Sequence, residues 1–151
     1  MQAKFHWIRV ETFCYATEKE DLVSEAFGAL VGAEEFQKEI SEGEHGNKME
    51  ILQYMITKQR DMDRLFLNLG KEIAEEIVSN ADVMVDDDCV FYMRLDKQRA
   101  ICGEYCVAHH SDVISVTGKV ASNPARKEIA VKNLTDYLNG LLSSSETPRL
   151  P

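Results

Sequence analysis

Residues 4–16 read KFHWIRVETFCYA, a run dense in aromatic and β-branched side chains that suits a pleated surface better than a helical one. In a strand, successive side chains point to opposite faces. His6, Ile8, Val10, Thr12 and Cys14 then form a core face, and Phe5, Trp7, Arg9, Glu11, Phe13 and Tyr15 form the other. A long first strand with four aromatics on its second face is the expectation from which the rest is built.

After this strand, Thr17 and Glu20 match a capping box, and Leu22, Ala26, Ala29 and Leu30 keep helical spacing up to Gly32, a natural stop. Residues 36–42 and 49–57 read as two strands joined by the turn-forming EGEHGN at 42–47. From about Arg60 to Ser79, Leu65, Phe66, Leu69, Ile73 and Ile77 recur at three and four residues, which predicts one helix running through Gly70. The acidic turn DDD at 86–88 precedes a strand, CVFYMRL at 89–95, and VISVTGKVA at 113–121 is another; a short helical turn or a hairpin lies between them. Asn123 and Pro124 suit the start of a last helix whose buried stripe is Val131, Leu134, Leu138 and Leu141.

The order β-α-β-β-α-β-β-α predicts an α+β fold, with a largely antiparallel sheet and helices packed on one face. Residues 1–142 read as a single domain and 143–151, with the sequence SSSETPRLP, as a flexible tail. Such a sheet leaves its second face uncovered, which is where the alternation of the first strand sends its aromatic set. Those side chains stack on unpaired bases, close a subunit interface or pack under a helix, and burial is the commoner fate of any one such ring.

At 44% hydrophobic and 28% charged, the composition is that of a globular protein. No run nears the ~20 apolar residues that cross a bilayer, and the charged start lacks the apolar stretch of a signal peptide, so the expected location is cytoplasmic, with no membrane partner. Four cysteines, Cys14, Cys89, Cys102 and Cys106, are too few and too scattered for a disulfide scaffold, and read as buried, inert thiols.

Little here points to catalysis. Cys102 and Cys106, with His109 and His110 beyond, lack the second close pair of ligands that structural zinc requires. The consecutive carboxylates of Asp86, Asp87 and Asp88 point apart and suit a solvated turn. Neither a phosphate-binding glycine loop nor a nucleophile motif occurs. The expectation is a protein that is not an enzyme and uses neither a cofactor nor a metal.

Charge is unevenly distributed. The chain carries a net −9, yet residues 1–88 hold 9 Lys and Arg against 20 Asp and Glu, while residues 89–133 hold 7 against 4. A phosphate-binding face therefore belongs mostly to the second part. Arg94, Lys97 and Arg99 cluster around Gln98, Lys119 ends a strand, and Arg126 and Lys127 sit where a helix N-terminus would add free N–H groups.

The stretches HWIRVETFCYATE (6–18), SEGEHGNKMEIL (41–52), RLDKQRA with Gly103 (94–103) and DVISVTGKVASNPARKEIAV (112–131) together resemble archaeal proteins described as predicted exosome subunits or RNA-binding proteins with a double-stranded-RNA-binding-like fold. That resemblance implies an α+β RNA-binding domain without established enzymatic activity, associated with RNA processing or the ribosome. It points to His45, Gly46 and Asn47 in the E-G-x-H-G-N loop, and to Asp96, Lys97 and Gln98 in the D-K-Q segment. The partner so implied is RNA, structured or ribosomal, met inside a multi-protein complex; oligomerisation is left open. The predicted site comprises Arg94, Lys97, Gln98, Arg99, Lys119, Arg126 and Lys127, to which the resemblance adds His45 and Asn47. Phe5, Trp7, Phe13 and Tyr15 form a base-stacking or interface face. The competing reading is a protein-interaction module that uses the aromatic face and never meets RNA.

Overall fold

The aromatic first strand lies at the middle of a five-stranded antiparallel sheet. The computed structural model describes residues 4–42 and 48–146. In chain order the elements are β1 (Phe5–Tyr15), α1 (Glu20–Val31), β2 (Gln37–Glu42), β3 (Lys48–Ile56), α2 (Gln59–Leu69), α3 (Lys71–Met84), β4 (Val90–Asp96), α4 (Lys97–Ile101), β5 (Val113–Val120) and α5 (Lys127–Glu146). The sheet order is β2-β3-β1-β5-β4. This is the α+β arrangement expected, a single domain with one sheet face covered by helices.

The core follows from the pleat. Ile8, Val10 and Cys14 of β1, Leu52 and Ile56 of β3, Phe91, Met93 and Leu95 of β4, and Ile114, Val116 and Val120 of β5 are buried against Phe27, Leu65, Phe66, Ile77, Leu134 and Leu138 of the helices. Strict alternation along β4 and β5 explains why one face of each is apolar and the other is not.

Phe5 departs from the expectation. Phe5 pairs with Val120 and Trp7 with Lys119, so two steps along β1 match one along β5 and His6 is the extra residue of a β-bulge. One inserted residue reverses the faces before it. Phe5 is therefore 1% exposed, stacked on Phe66 with ring centroids 5.7 Å apart, and His6, expected in the core, is exposed. The close approach of Phe5 also accounts for Gly118, where a Cβ would lie 2.8 Å from its ring.

The expected single helix at 60–79 is two helices. Gly70 takes φ 91, ψ 173, a conformation essentially confined to glycine, and ends α2 before α3 begins. Both halves keep their apolar positions turned to the core, so the spacing survives a break that the pattern alone does not register. The break replaces the continuous helix predicted through Gly70.

Helix starts also shift. The Thr17 capping box is not formed: α1 begins at Glu20 with Lys19 at its N-cap and no side-chain cap. Its last residue is followed by Gly32, as expected. The final helix begins at Lys127 rather than at Asn123–Pro124, which lie in the turn before it, and it runs on to Glu146, through the first part of the segment expected as a tail. Among the described residues, no helix is long and apolar enough to cross a membrane.

Candidate nucleic-acid interface

The predicted basic turn divides into two parts with different roles. Asp96 caps α4 by accepting the Arg99 N–H at 2.9 Å, and this short helix carries Lys97 inward rather than outward. Lys97 is 1% exposed. Its Nζ donates to Phe13 O at 2.7 Å and Glu18 Oε1 at 2.6 Å, and stands 2.8 Å from Asp112 Oδ1 and 4.7 Å from the centre of the Tyr15 ring. Burial works against the charge, yet the Asp112 and Glu18 carboxylates outweigh it and hold the ammonium above its ordinary range. The Asp112 carboxyl responds in kind: burial raises it, but Lys97 and Gln98 together bring it below the usual range.

Gln98 joins the same clasp, donating to Glu18 Oε2 at 3.1 Å and Asp112 Oδ2 at 3.0 Å. Lys97 and Gln98 therefore tie the end of β1 to the start of β5. With its donors committed to protein oxygens, Lys97 is removed from any phosphate-binding role, which corrects its assignment from sequence. Arg99 is exposed and paired with Glu104 at 3.2 Å.

Arg94 turns the other way. It lies on the uncovered face of β4 with Tyr92, opposite Ser115 and Thr117 of β5. Register then extends that face across the sheet. One cross-strand row runs Tyr92, Thr117, Arg9 and Met55; the next runs Arg94, Ser115, Glu11 and Gln53; a third places Lys119 beside Trp7. Side chains opposite one another in a sheet are close enough to act on one ligand. The face thus combines Arg9, Arg94 and Lys119 with Trp7, Phe13, Tyr15 and Tyr92, of which Tyr15 is 41% and Tyr92 52% exposed.

Its composition changes across the sheet. Beyond β1 the face continues as Ile51 and Met55 of β3 and Glu39 of β2, apolar and acidic rather than cationic. Glu11, between the two halves, accepts from Gln53 Nε2 at 3.3 Å. Lys119 also donates to the backbone carbonyl of Asp88. Arg126 and Lys127 stand beyond the Lys119 end of β5, at the start of α5.

Of the predicted residues, then, the fold brings together Arg94, Lys119, Trp7, Phe13 and Tyr15 on one face. Lys97, Gln98 and Phe5 are committed to the interior or to the clasp, and Arg99 sits on α4, exposed and paired with Glu104. His45 and Asn47 lie outside the described residues. Arg9 and Tyr92, outside the predicted set, share this face. Strand alternation could have found both, because Arg9 shares the pleat face of Trp7 and Tyr92 that of Arg94, but Arg9 sits in the acidic part of the chain, where the charge count drew no attention to it.

The DDD turn is explained by Asp86, whose Oδ1 accepts the N–H groups of Asp88 and Val90 at 2.9 Å each. The four cysteines are free thiols. Cys14 and Cys89 are buried, whereas Cys102 is exposed, contrary to its expected packing role, because α4 ends at Ile101 and releases it to the surface.

Comparison with known proteins places this geometry in context. A family model described as RNA binding matches residues 7–120. A Pyrococcus abyssi protein named as an RNA-binding protein is 35% identical over 145 residues, covering 89% of this chain and 94% of that one. Among solved structures, a DUF54 protein from Methanothermobacter thermautotrophicus superposes with a TM-score of 0.75 at 28% identity, covering 89% of this chain and 98% of that one. A DUF54-family protein from Archaeoglobus fulgidus gives 0.72 at 31% identity, covering 91% and 99%.

Proposed function

The chain belongs to this RNA-binding family, and from that premise we propose that it binds single-stranded RNA on the uncovered sheet face, without catalysing a reaction. The observation that carries the reading is the row Tyr92, Thr117, Arg9, flanked by Arg94 on one side and by Trp7 with Lys119 on the other. Aromatic rings supply stacking surfaces that tolerate any base, and the interleaved cations meet the phosphates between bases. In this reading Arg94, Lys119 and Arg9 hold the backbone, Trp7, Tyr15 and Tyr92 receive bases, and Arg126 and Lys127 extend the track past the end of β5. Arg99 lies off it.

A net charge of −9 limits how tightly such a site holds RNA alone, because nonspecific affinity rests on neutralised phosphates. The face has a second half without cations, in Ile51 and Met55 with Glu39 beside them, and Met55 is 51% exposed. We assign that half to a protein neighbour, which suits an accessory role in an RNA-processing assembly such as the exosome, or at the ribosome. The competing idea, a protein-interaction module only, would use the same apolar half and leave Arg9 and Arg94 without a role.

Trp7 offers a direct test, since it is the chain's one tryptophan and lies on the proposed track. Titration with oligouridylate at low salt should change its emission and reverse on adding salt. RNA binding that leaves the emission of Trp7 untouched would move the site to another surface.

A further inference from the structure

At the outer edge of β4 a cleft of about 540 Å³ opens between the sheet and the end of α3. The edge is closed on both sides of it. Val85 bridges Phe91, and the Asp86 N–H donates to Val90 O at 2.9 Å; farther along, Val107 bridges Leu95, with the Ala108 N–H on Arg94 O at 2.8 Å. Alternate residues of a strand turn their backbone groups to the same side, so the Tyr92 carbonyl and the Arg94 N–H face outward between these segments. Neither has a hydrogen-bond partner among the described residues.

The surroundings of this acceptor and donor are of two kinds. Val83, 81% exposed, and the Tyr92 ring, 52% exposed, offer apolar surfaces. Asn80 and His109 add polar groups, and Arg94 adds a cation. Asn80 is the non-helical residue within α3 (φ −122, ψ 17); it lines the cleft, and its Nδ2 donates to Glu76 O at 2.8 Å. Glu76 is the carboxylate among the lining residues and repels a phosphate from that wall.

We propose that this cleft takes one unstacked nucleotide of a single-stranded RNA, its base inside against Tyr92 and Val83 and its phosphate outside on Arg94. The inference rests on the reading of the sheet face as an RNA surface, with which the cleft is continuous through Tyr92. An added peptide strand is the poorer occupant. Edge pairing needs a run of open backbone groups, whereas the segments at 85–86 and 107–108 leave room for one acceptor and one donor. A base presents donors and acceptors along its edge and a flat surface to stack, which is what the cleft meets.

Val83→Asp tests this at a position too exposed to threaten folding. The probe is fluorescein-labelled hexauridylate, intact or carrying a single abasic position at each site in turn, with anisotropy as the readout. One abasic position should weaken binding to the unmodified protein by about tenfold, a typical loss for one stacked base. Val83→Asp should weaken the intact oligomer by a similar factor and add little for that abasic one. If binding persists, depends on Arg9, and is indifferent to Val83→Asp, the cleft assignment is overturned while the sheet-face reading stands. If the unmodified protein binds no oligomer at low salt, both fall. If the Arg94 amide resonance shifts with an extended hexapeptide and not with hexauridylate, the edge belongs to a protein strand and the proposal is overturned.

Discussion

The ammonium of Lys97 and the carboxylate of Glu18 meet at 2.6 Å inside the protein, although 79 residues separate them in the chain. This contact, completed by Asp112, converts the most conspicuous cation of a basic turn into a structural clasp. Removing it should leave two carboxylates facing each other with nothing between. Lys97→Ala is expected to cost about 2–4 kcal/mol in urea denaturation, less than a wholly buried pair because Asp112 is 38% exposed. Lys97→Met, tested together with Glu18→Gln and Asp112→Asn, should recover most of that loss. A Lys97→Ala variant as stable as the parent would refute the clasp.

The clasp, together with the Asp96 cap of α4 that accepts from the Arg99 N–H and His110, carries a pH dependence. Asp112 and Asp96 are held below the ordinary carboxylate value of 3.8, so their stabilisation is present above it and lost as pH falls through their lowered values. Lys97 is held above its ordinary 10.5, so its share is complete below that value and lost as pH rises beyond it. Thermal melts should fall at both extremes, and the alkaline fall should begin below the lysine range, because burial also raises the Cys14 thiol and the Tyr105 and Tyr137 hydroxyls above their ordinary values. In Lys97→Met the alkaline fall should be reduced.

Gly70→Ala separates two pictures of residues 60–79 by sign. In a continuous helix the change would stabilise by about 1 kcal/mol, since alanine is the better helix former. At φ 91, ψ 173 it should instead destabilise by about 1–3 kcal/mol, although nothing lies within 4 Å of an added Cβ. Chemical denaturation gives the answer, and stabilisation would contradict the break.

Phe5 and Trp7 should behave oppositely despite being two residues apart. Phe5→Ala removes a buried ring packed on Phe66, Phe91 and Tyr137 and should cost about 3–5 kcal/mol. Trp7→Ala should cost far less stability and should weaken RNA binding. Equal losses of stability in the two variants would argue against the bulge at His6.

Arg9 and Arg99 give a matched comparison for binding. Arg9→Ala should weaken oligouridylate binding and reduce the slope of log affinity against log salt by about 0.7, the value for one phosphate of a single strand. Arg99→Ala, which removes a residue paired with Glu104, should leave that slope nearly unchanged. Indistinguishable slopes would remove the sheet-face track.

How much of this was legible beforehand depends on the range of the signal. The α+β class, the five strands and the apolar stripe of α5 were readable because alternation and helical spacing are properties of neighbouring residues. Arg94, Lys119, Trp7 and Tyr15 were readable as candidates by the same local rules. The break at Gly70 was not, since a glycine between two in-phase helical stripes leaves the spacing intact. Nor was the reversal at Phe5, because a bulge is defined by the partner strand and β1 alone does not reveal that β5 contributes one residue where it contributes two.

Sequence alone was sufficient for the strands, for their two faces beyond the bulge at His6, and for the overall supply of charge. The tertiary structure decided which charges are available. Lys97 and Arg94, three residues apart, carry the same sign and look alike in the chain; one is enclosed by Glu18 and Asp112 and the other opens onto the sheet face. The reason is physical. Whether a cation is free depends on which carboxylates the fold brings within a few ångströms, and here those come from residues 79 and 15 positions away.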